Sequence, residues 1–309
     1  MEPLRVDPTV GEALRSRHPV VALESALITH GFARPDNLEI ARRMEAVVRA
    51  QGAVPATVGV LDGKPHIGMT SAELSRLASA QATRPAGHPA PVRKISLRDL
   101  PLAVAQGASG GTTVAATMHL AHLAGIEVFA TGGVGGVHRG HPEDVSADLT
   151  ALERIGMTVV CSGAKAILDL RRTRESLETR GIAIVGYRTE VFPAFYSRHS
   201  DLRVDAVTNT AEDVVRMARA RSALGLAGAV LVCVPVPREM ELPAEEADTL
   251  IAQALNEAEA AGVWGTALTP FLLARLVELS DGRARQANEA LLINNARVAA
   301  DIARAAACV

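Results

Sequence analysis

The sequence predicts an α/β fold in which helices cover both faces of a mainly parallel sheet. Short apolar, β-branched runs bounded by glycine recur along the chain, and amphipathic stretches of helical period separate them. A hydrophobic content of 48% over 309 residues supplies the apolar side chains that such a sheet buries.

In chain order, strands are expected at Val20–Glu24, Val54–Leu61, Ile126–Ala130, Thr158–Cys161, Ile182–Gly186 and Ala229–Val234, with a further one holding Lys94. Helix starts are also readable. Thr70 with Glu73 fits a capping box, Thr210 opens another helix, and Thr269-Pro270 sets a cap before a proline at the first helical position. The last long helix runs from about Ala284 to Ala306 and carries the polar insert Asn294-Asn295. Gln81–Pro91, with three prolines and a glycine, reads as a surface loop. The segment before it has too few strands for a core of its own, so residues 1–309 are expected to form one domain.

Composition excludes several classes. A formal charge of −2 and an aromatic content of 3% argue against a nucleic-acid binder, which needs basic patches or stacking rings. The N-terminus has acids and prolines where a secretory signal needs a basic start, and no apolar run approaches ~18 residues. A soluble, cytoplasmic protein without membrane contact is expected. Cys161, Cys233 and Cys308 are far apart and form no CxxC pair, so they read as plain thiols.

Lys64, Lys94 and Lys165 are the only lysines among 32 basic residues, so arginine serves wherever charge alone suffices. A desolvated lysine can lose its proton and attack a carbonyl, which arginine cannot do. Lys165 is expected just past a buried strand, in a small-residue turn at the start of a helix, where both surroundings disfavour the charged amine. It reads either as a nucleophile or as a side chain reaching to solvent. Glu24, at the end of an apolar strand, reads either as a structural carboxylate or as an acid/base group tuned by desolvation.

Two glycine-rich loops follow. Gly107–Thr113 precedes an expected helix Val114–Ala124 and suits either a tight turn or a phosphate held on backbone N–H groups, without the ending of an ATP-binding loop. Thr131–His141 has the first two glycines of a dinucleotide fingerprint, but His138 stands at the third position and no acid follows at the required distance. Nicotinamide dinucleotide binding is therefore not expected. Asp144, Ser146 and Asp148, two apart, suit either Mg²⁺ or Mn²⁺ bound through water or the capping of a helix. His119 and His122 share a helical face that reads as packing.

Taken together, VVALESALITHG, GGTTVAATM, VFATGGVGGVHRG, DVSADL, VVCSGAKAILDL, TPFLLARLVEL and ANEALLINNARVA resemble the pseudouridine-5′-phosphate glycosidase family, also called the indigoidine synthase A family, over nearly the whole chain. The resemblance implies a three-layer α/β/α sandwich around a mainly parallel, mixed sheet, assembled as a homotrimer. It implies a carbon–oxygen lyase type of enzyme. The reaction is the reversible cleavage of the C–C glycosidic bond of pseudouridine 5′-phosphate to uracil and ribose 5-phosphate, with Mn²⁺ or another divalent ion such as Mg²⁺. Glu24 then matches the proton donor, Lys165 the imine-forming nucleophile, and Asp144 the metal-binding aspartate. Lys94, Val114, Ser146, Ala147 and Asp148 match substrate contacts, and His138 and Asn288 match polar residues of the same pocket. The chain departs from the family's pattern at Ala26, Val234 and Thr266, none of which is Glu24, Asp144 or Lys165. A related C-glycosidase or C-glycosynthase acting on another aglycone is the alternative.

Overall fold

Along Val20–Leu23 and Thr158–Cys161 every residue is buried, as strands covered on both faces must be. These come from a computed structural model that describes residues 4–79, 92–263 and 268–308. Its strands are β1 (Arg5–Val6), β2 (Val20–Leu23), β3 (Val54–Leu61), β4 (Lys64–Ile67), β5 (Arg93–Ile95), β6 (Gly110–Thr112), β7 (Val128–Ala130), β8 (Val137–His138), β9 (His141–Val145), β10 (Thr158–Cys161), β11 (Ala183–Tyr187), β12 (Ala206–Thr208) and β13 (Val230–Cys233). Its helices are α1 (Pro8–Arg15), α2 (Asp36–Ala50), α3 (Ser71–Ser79), α4 (Leu100–Ala105), α5 (Val114–Leu123), α6 (Ala147–Arg154), α7 (Leu170–Thr179), α8 (Ala211–Ala223), α9 (Ala244–Ala260), α10 (Leu268–Leu279) and α11 (Arg283–Ala307).

Eleven strands form one sheet in the order β1-β4-β3-β2-β7-β10-β13-β11-β12, with β6 beside β3 and β5 beside β6. From β3 through β12 neighbours are parallel, while β4 and β6 run antiparallel to β3, so the sheet is mainly parallel and mixed, as expected. β8 and β9 form a separate antiparallel hairpin. Each strand expected from the sequence is present within two residues, including the one that holds Lys94.

Helices flank the sheet. α11 packs on α2, α8 and the strands β2, β7 and β10, whereas α5 packs on α6 and on β2, β3 and β4. The caps follow the sequence. Thr70 N donates to Glu73 Oε2 at 2.8 Å and Glu73 N to Thr70 Oγ1 at 3.3 Å, which completes the capping box ahead of α3. Thr210 Oγ1 accepts from Asp213 N at 3.2 Å and opens α8. α10 is described from Leu268 onward, so Thr269 and Pro270 stand inside the helix rather than ahead of it. Gln81–Pro91 and Thr266 lie outside the described residues.

Cys161 and Cys233 are buried side by side on β10 and β13, whereas Cys308, just past α11, is exposed. No described helix is long and apolar enough to cross a membrane.

Candidate active site

β2, β7 and β10 are parallel neighbours, so their C-terminal ends open on the same edge of the sheet. That edge is where open α/β sheets bind ligands. Glu24 follows β2, Thr131 follows β7, and Lys165 comes four residues after β10.

Glu24 is 7% exposed, and its Oε1 accepts a hydrogen bond from Thr131 Oγ1. Burial lifts its carboxyl above the ordinary 4.5, the Asp148 carboxylate adds to the rise, and Lys165, Thr131 and Lys94 oppose it. The net direction is upward, so the protonated acid persists to higher pH than on an exposed side chain.

Lys165 does not start a helix. Its N–H donates to Val134 O at 3.0 Å, and α7 begins only at Leu170 behind its cap Asp169. Gly163, at φ 83°, turns the chain against Pro193 O, where a Cβ would sit 2.1 Å from that oxygen. The loop pairs with the glycine-rich segment after β7 instead of coiling, because Val134 and Ala164 bridge as parallel strands. The half-buried amine thus owes its surroundings to this loop pairing and not to a helix end.

Lys94, on β5, lies under the same opening. Burial pushes its ammonium below the ordinary 10.5, Lys165 pushes the same way, and Asp148 and Glu24 partly restore it. The start of α5 carries Val114, whose side chain is fully buried, so it can present only its backbone to a ligand. Thr113 Oγ1 beside it is buried with no hydrogen-bond partner among the described residues.

Asp148 is turned inward. Its Oδ1 accepts from Ala115 N at 3.0 Å and its Oδ2 from Gly135 N at 2.8 Å, so one carboxylate ties α6 to the start of α5 and to the glycine-rich loop. Ser146 caps α6, with Oγ accepting from Asp148 N at 3.2 Å, and the exposed Ala147 is the first helical residue. Asp144 lies on β9, whose five residues are all exposed. The three alternating residues therefore diverge: the strand ends at Val145, the helix starts at Ala147, and the chain turns between them. His138, on β8, is half-buried; burial holds its imidazole below the ordinary 6.5, while Asp144 opposes that shift. Gly107–Thr113 does not form an open cradle either. Gly110–Thr112 is strand β6, and a Cβ on Gly111 would meet Thr29 Oγ1 at 2.4 Å.

Glu24, Lys94, Lys165 and Asn288 line one cavity of about 70 Å³, whose walls include His30 and Phe195. Ala26, one of the positions at which the chain departs from the family's pattern, lines it too. Lys165 also borders a larger space of about 610 Å³, with Arg139, His199 and Asp248 on its sides. Val114, Ser146, Ala147 and Asp148 gather at the starts of α5 and α6, while Asp144 stays on the rim. Sequence reasoning missed Thr131, His30 and Phe195. Each follows an apolar or glycine-rich segment with nothing in its own neighbourhood to mark it. Phe195 adopts φ 62°, which is unusual for an aromatic residue, and its ring lies where a Cβ on Gly133 would come within 2.7 Å.

A doubly covered α/β sheet with a buried carboxylate and two lysines lining one cavity at its strand ends is the build of an enzyme. Residues 9–305 match the family described as indigoidine synthase A like protein. The chain belongs to that family. It is 49% identical, over 97% of its length and 98% of the relative's, to the pseudouridine-5′-phosphate glycosidase of Solibacter usitatus. Two solved structures share the fold. An indigoidine synthase A-like protein of Thermotoga maritima matches at 36% identity and a TM-score of 0.87, covering 98% of this chain and 97% of that one. The prealnumycin C-glycosynthase AlnA, in complex with ribulose 5-phosphate, matches at 38% identity and a TM-score of 0.89, covering 100% of this chain and 98% of that one.

Proposed function

We propose that the protein is a pseudouridine-5′-phosphate glycosidase that cleaves its substrate through an imine on Lys165. The observation that carries this reading is the convergence of Glu24, Lys94 and Lys165 on one cavity at the strand ends. The near-full-length identity to a relative of that name supports the substrate.

The leaving atom in pseudouridine is a ring carbon of uracil, so the two flanking carboxylates of an ordinary glycosidase would do little. Protonated Glu24 gives its proton to O4′ as the C1′–O4′ bond opens, and the Lys165 amine bonds C1′, so the opened ribose is held as a secondary amine with O4′ kept as a hydroxyl. A proton is then delivered to the uracil carbon, the C1′–C bond breaks as the nitrogen lone pair forms the C1′=N imine, and uracil leaves. Water hydrolyses the remaining imine to ribose 5-phosphate and free lysine. The raised carboxyl of Glu24 suits proton donation near neutral pH.

The phosphate is assigned to the starts of α5 and α6 beside Lys94. The unpartnered Thr113 Oγ1 and the helix N-terminus at Val114 support this. Asp148, Ser146 and Ala147 line the same corner. Mn²⁺, or Mg²⁺, is assigned to Asp144. A single exposed carboxylate, with no cluster of three or more His, Cys, Asp or Glu among the described residues, suits a hard cation that keeps most of its water. When bound, the ion supplies positive charge that orients the substrate. The homotrimer, the single domain over residues 1–309 and the cytoplasmic location belong to the same proposal; the continuous eleven-stranded sheet supports the single domain.

The experiment is incubation of purified protein and Mn²⁺ with pseudouridine 5′-phosphate. Free uracil and ribose 5-phosphate are expected in equal amounts, and their absence under saturating substrate overturns the reading. A second reading is a C-glycosynthase that joins another aglycone to a pentose phosphate, favoured by the likeness to AlnA and by the methyl of Ala26 in the cavity wall. Faster coupling of ribose 5-phosphate to a polycyclic phenol than to uracil would select it.

A further inference from the structure

We infer that Thr131, held in place by Asn295, is a positioning residue that aims the Glu24 carboxyl at the cavity and couples it mechanically to the loop carrying Lys165. The inference rests on the reading of Glu24 as proton donor.

The hydrogen bond from Thr131 Oγ1 is the one hydrogen bond that the Glu24 side chain makes among the described residues. It occupies Oε1 and leaves Oε2 to carry the proton into the cavity. Thr131 is fully buried, where a valine of the same shape would avoid the cost of a desolvated hydroxyl, so its hydroxyl has a task that packing does not explain. Its backbone is fixed on both sides. Thr131 N donates to Val160 O at 3.0 Å, and Thr131 O accepts from Asn295 Nδ2 at 2.8 Å.

Asn295, also fully buried, sits on α11 and bonds in two directions. Besides Thr131 O, its Nδ2 reaches Ser162 Oγ at 3.1 Å, and its Oδ1 accepts from Ser162 Oγ at 3.3 Å. Ser162 N in turn donates to Gly132 O at 2.8 Å, and Ser162 O accepts from Phe195 N at 3.1 Å. Ser162 stands three residues before Lys165. A single helix amide therefore clasps the segment that orients the acid to the segment that ends in the amine. The neighbouring Asn294, partly buried, bonds elsewhere, its Nδ2 to Pro235 O at 3.5 Å and its Oδ1 accepting from Arg297 at 2.9 Å, so only Asn295 of the polar pair is the clasp.

The charged groups that face Glu24 are Lys165 after β10, Asp148 on α6 and Lys94 on β5. None of them is altered by substitutions at Thr131. Because the hydroxyl's hydrogen bond favours the ionised carboxylate, its removal raises the pH at which Glu24 gives up its proton.

The test compares Thr131→Val, Thr131→Ser and Asn295→Ala. Two measurements are made: pH–rate profiles with pseudouridine 5′-phosphate, and infrared titration of the carboxylic C=O band that disappears in Glu24→Gln. In Thr131→Val, kcat falls roughly 10- to 100-fold while KM moves less than about threefold. Both the high-pH limb and the infrared midpoint rise by about one pH unit. Thr131→Ser restores rate and midpoint. Asn295→Ala lowers kcat about tenfold with a smaller upward shift. An unmoved infrared midpoint in Thr131→Val, or failure of Thr131→Ser to recover it, overturns the inference. The infrared titration needs no substrate, so it separates this failure from loss of the proposed function, which is read as absent uracil release by the unaltered protein.

Discussion

On the floor of the site Glu24, Asp148 and Asn295 are all buried, and each is tied to another strand end or helix start. On the rim, β9 is exposed along all five residues and leaves Asp144 in water. Both regions carry carboxylates, yet the surroundings differ in consequence. On the floor the Glu24 carboxyl loses hydration and its protonation shifts upward; on the rim Asp144 stays open to water. In the proposed reaction, chemistry that depends on one proton falls where dielectric and geometry are controlled, and charge that only steers falls where exchange is fast.

Three substitutions break or sharpen this contrast. Lys165→Arg keeps the charge but cannot form an imine, so uracil release falls to background and borohydride traps no pentose adduct. Normal turnover by that variant would end the covalent reading. Glu24→Gln lowers kcat by roughly 10²–10⁴-fold, as loss of a general acid does, measured by uracil formation at saturating substrate. On the rim, Asp144→Asn raises the Mn²⁺ concentration needed for half-maximal activity by about tenfold or more, without moving the melting temperature. A loss as deep as that of Glu24→Gln, unrecovered by added metal, would erase the distinction between floor and rim.

The smallest effect is on stability. Burial raises Glu24 above its unfolded value of 4.5, so its contribution to folding weakens as pH climbs past that value and levels off above the folded midpoint. Glu24→Gln therefore melts higher than the parent at pH 8, by about 2 °C or more, and equally at pH 4, in thermal denaturation. An inactive variant that is sturdier at high pH shows the floor trading stability for reactivity.

The sheet was legible because its strands are buried on both faces and so read as unbroken apolar runs, such as Thr158–Cys161. Helix starts marked by local bonds, Thr70 with Glu73 and Thr210 with Asp213, were legible for the same reason: cause and effect lie within one turn. The β8–β9 hairpin was not, since His141–Val145 is polar, exposed and opens with a proline after its first residue. The setting of Lys165 was misread, because its small-residue turn pairs with Val134, a residue far off in sequence. Glu24 and Lys165 stood out as charges beside apolar segments. Thr131 did not, because a threonine after a strand is ordinary until the glutamate of another strand is found beside it. Asn295 could be seen as a polar interruption of a helix, but its partners belong to two loops that only the folded chain assembles.

The cysteines offer a practical opening. Cys161 and Cys233 are sealed in the sheet, and burial drives the Cys233 thiol well above its ordinary range, so neither competes for an alkylating dye. Cys308 is accessible and lies just beyond the helix that carries Asn295. A maleimide fluorophore will therefore attach to the native enzyme at one defined place, giving an optical reporter on that helix without any prior mutagenesis.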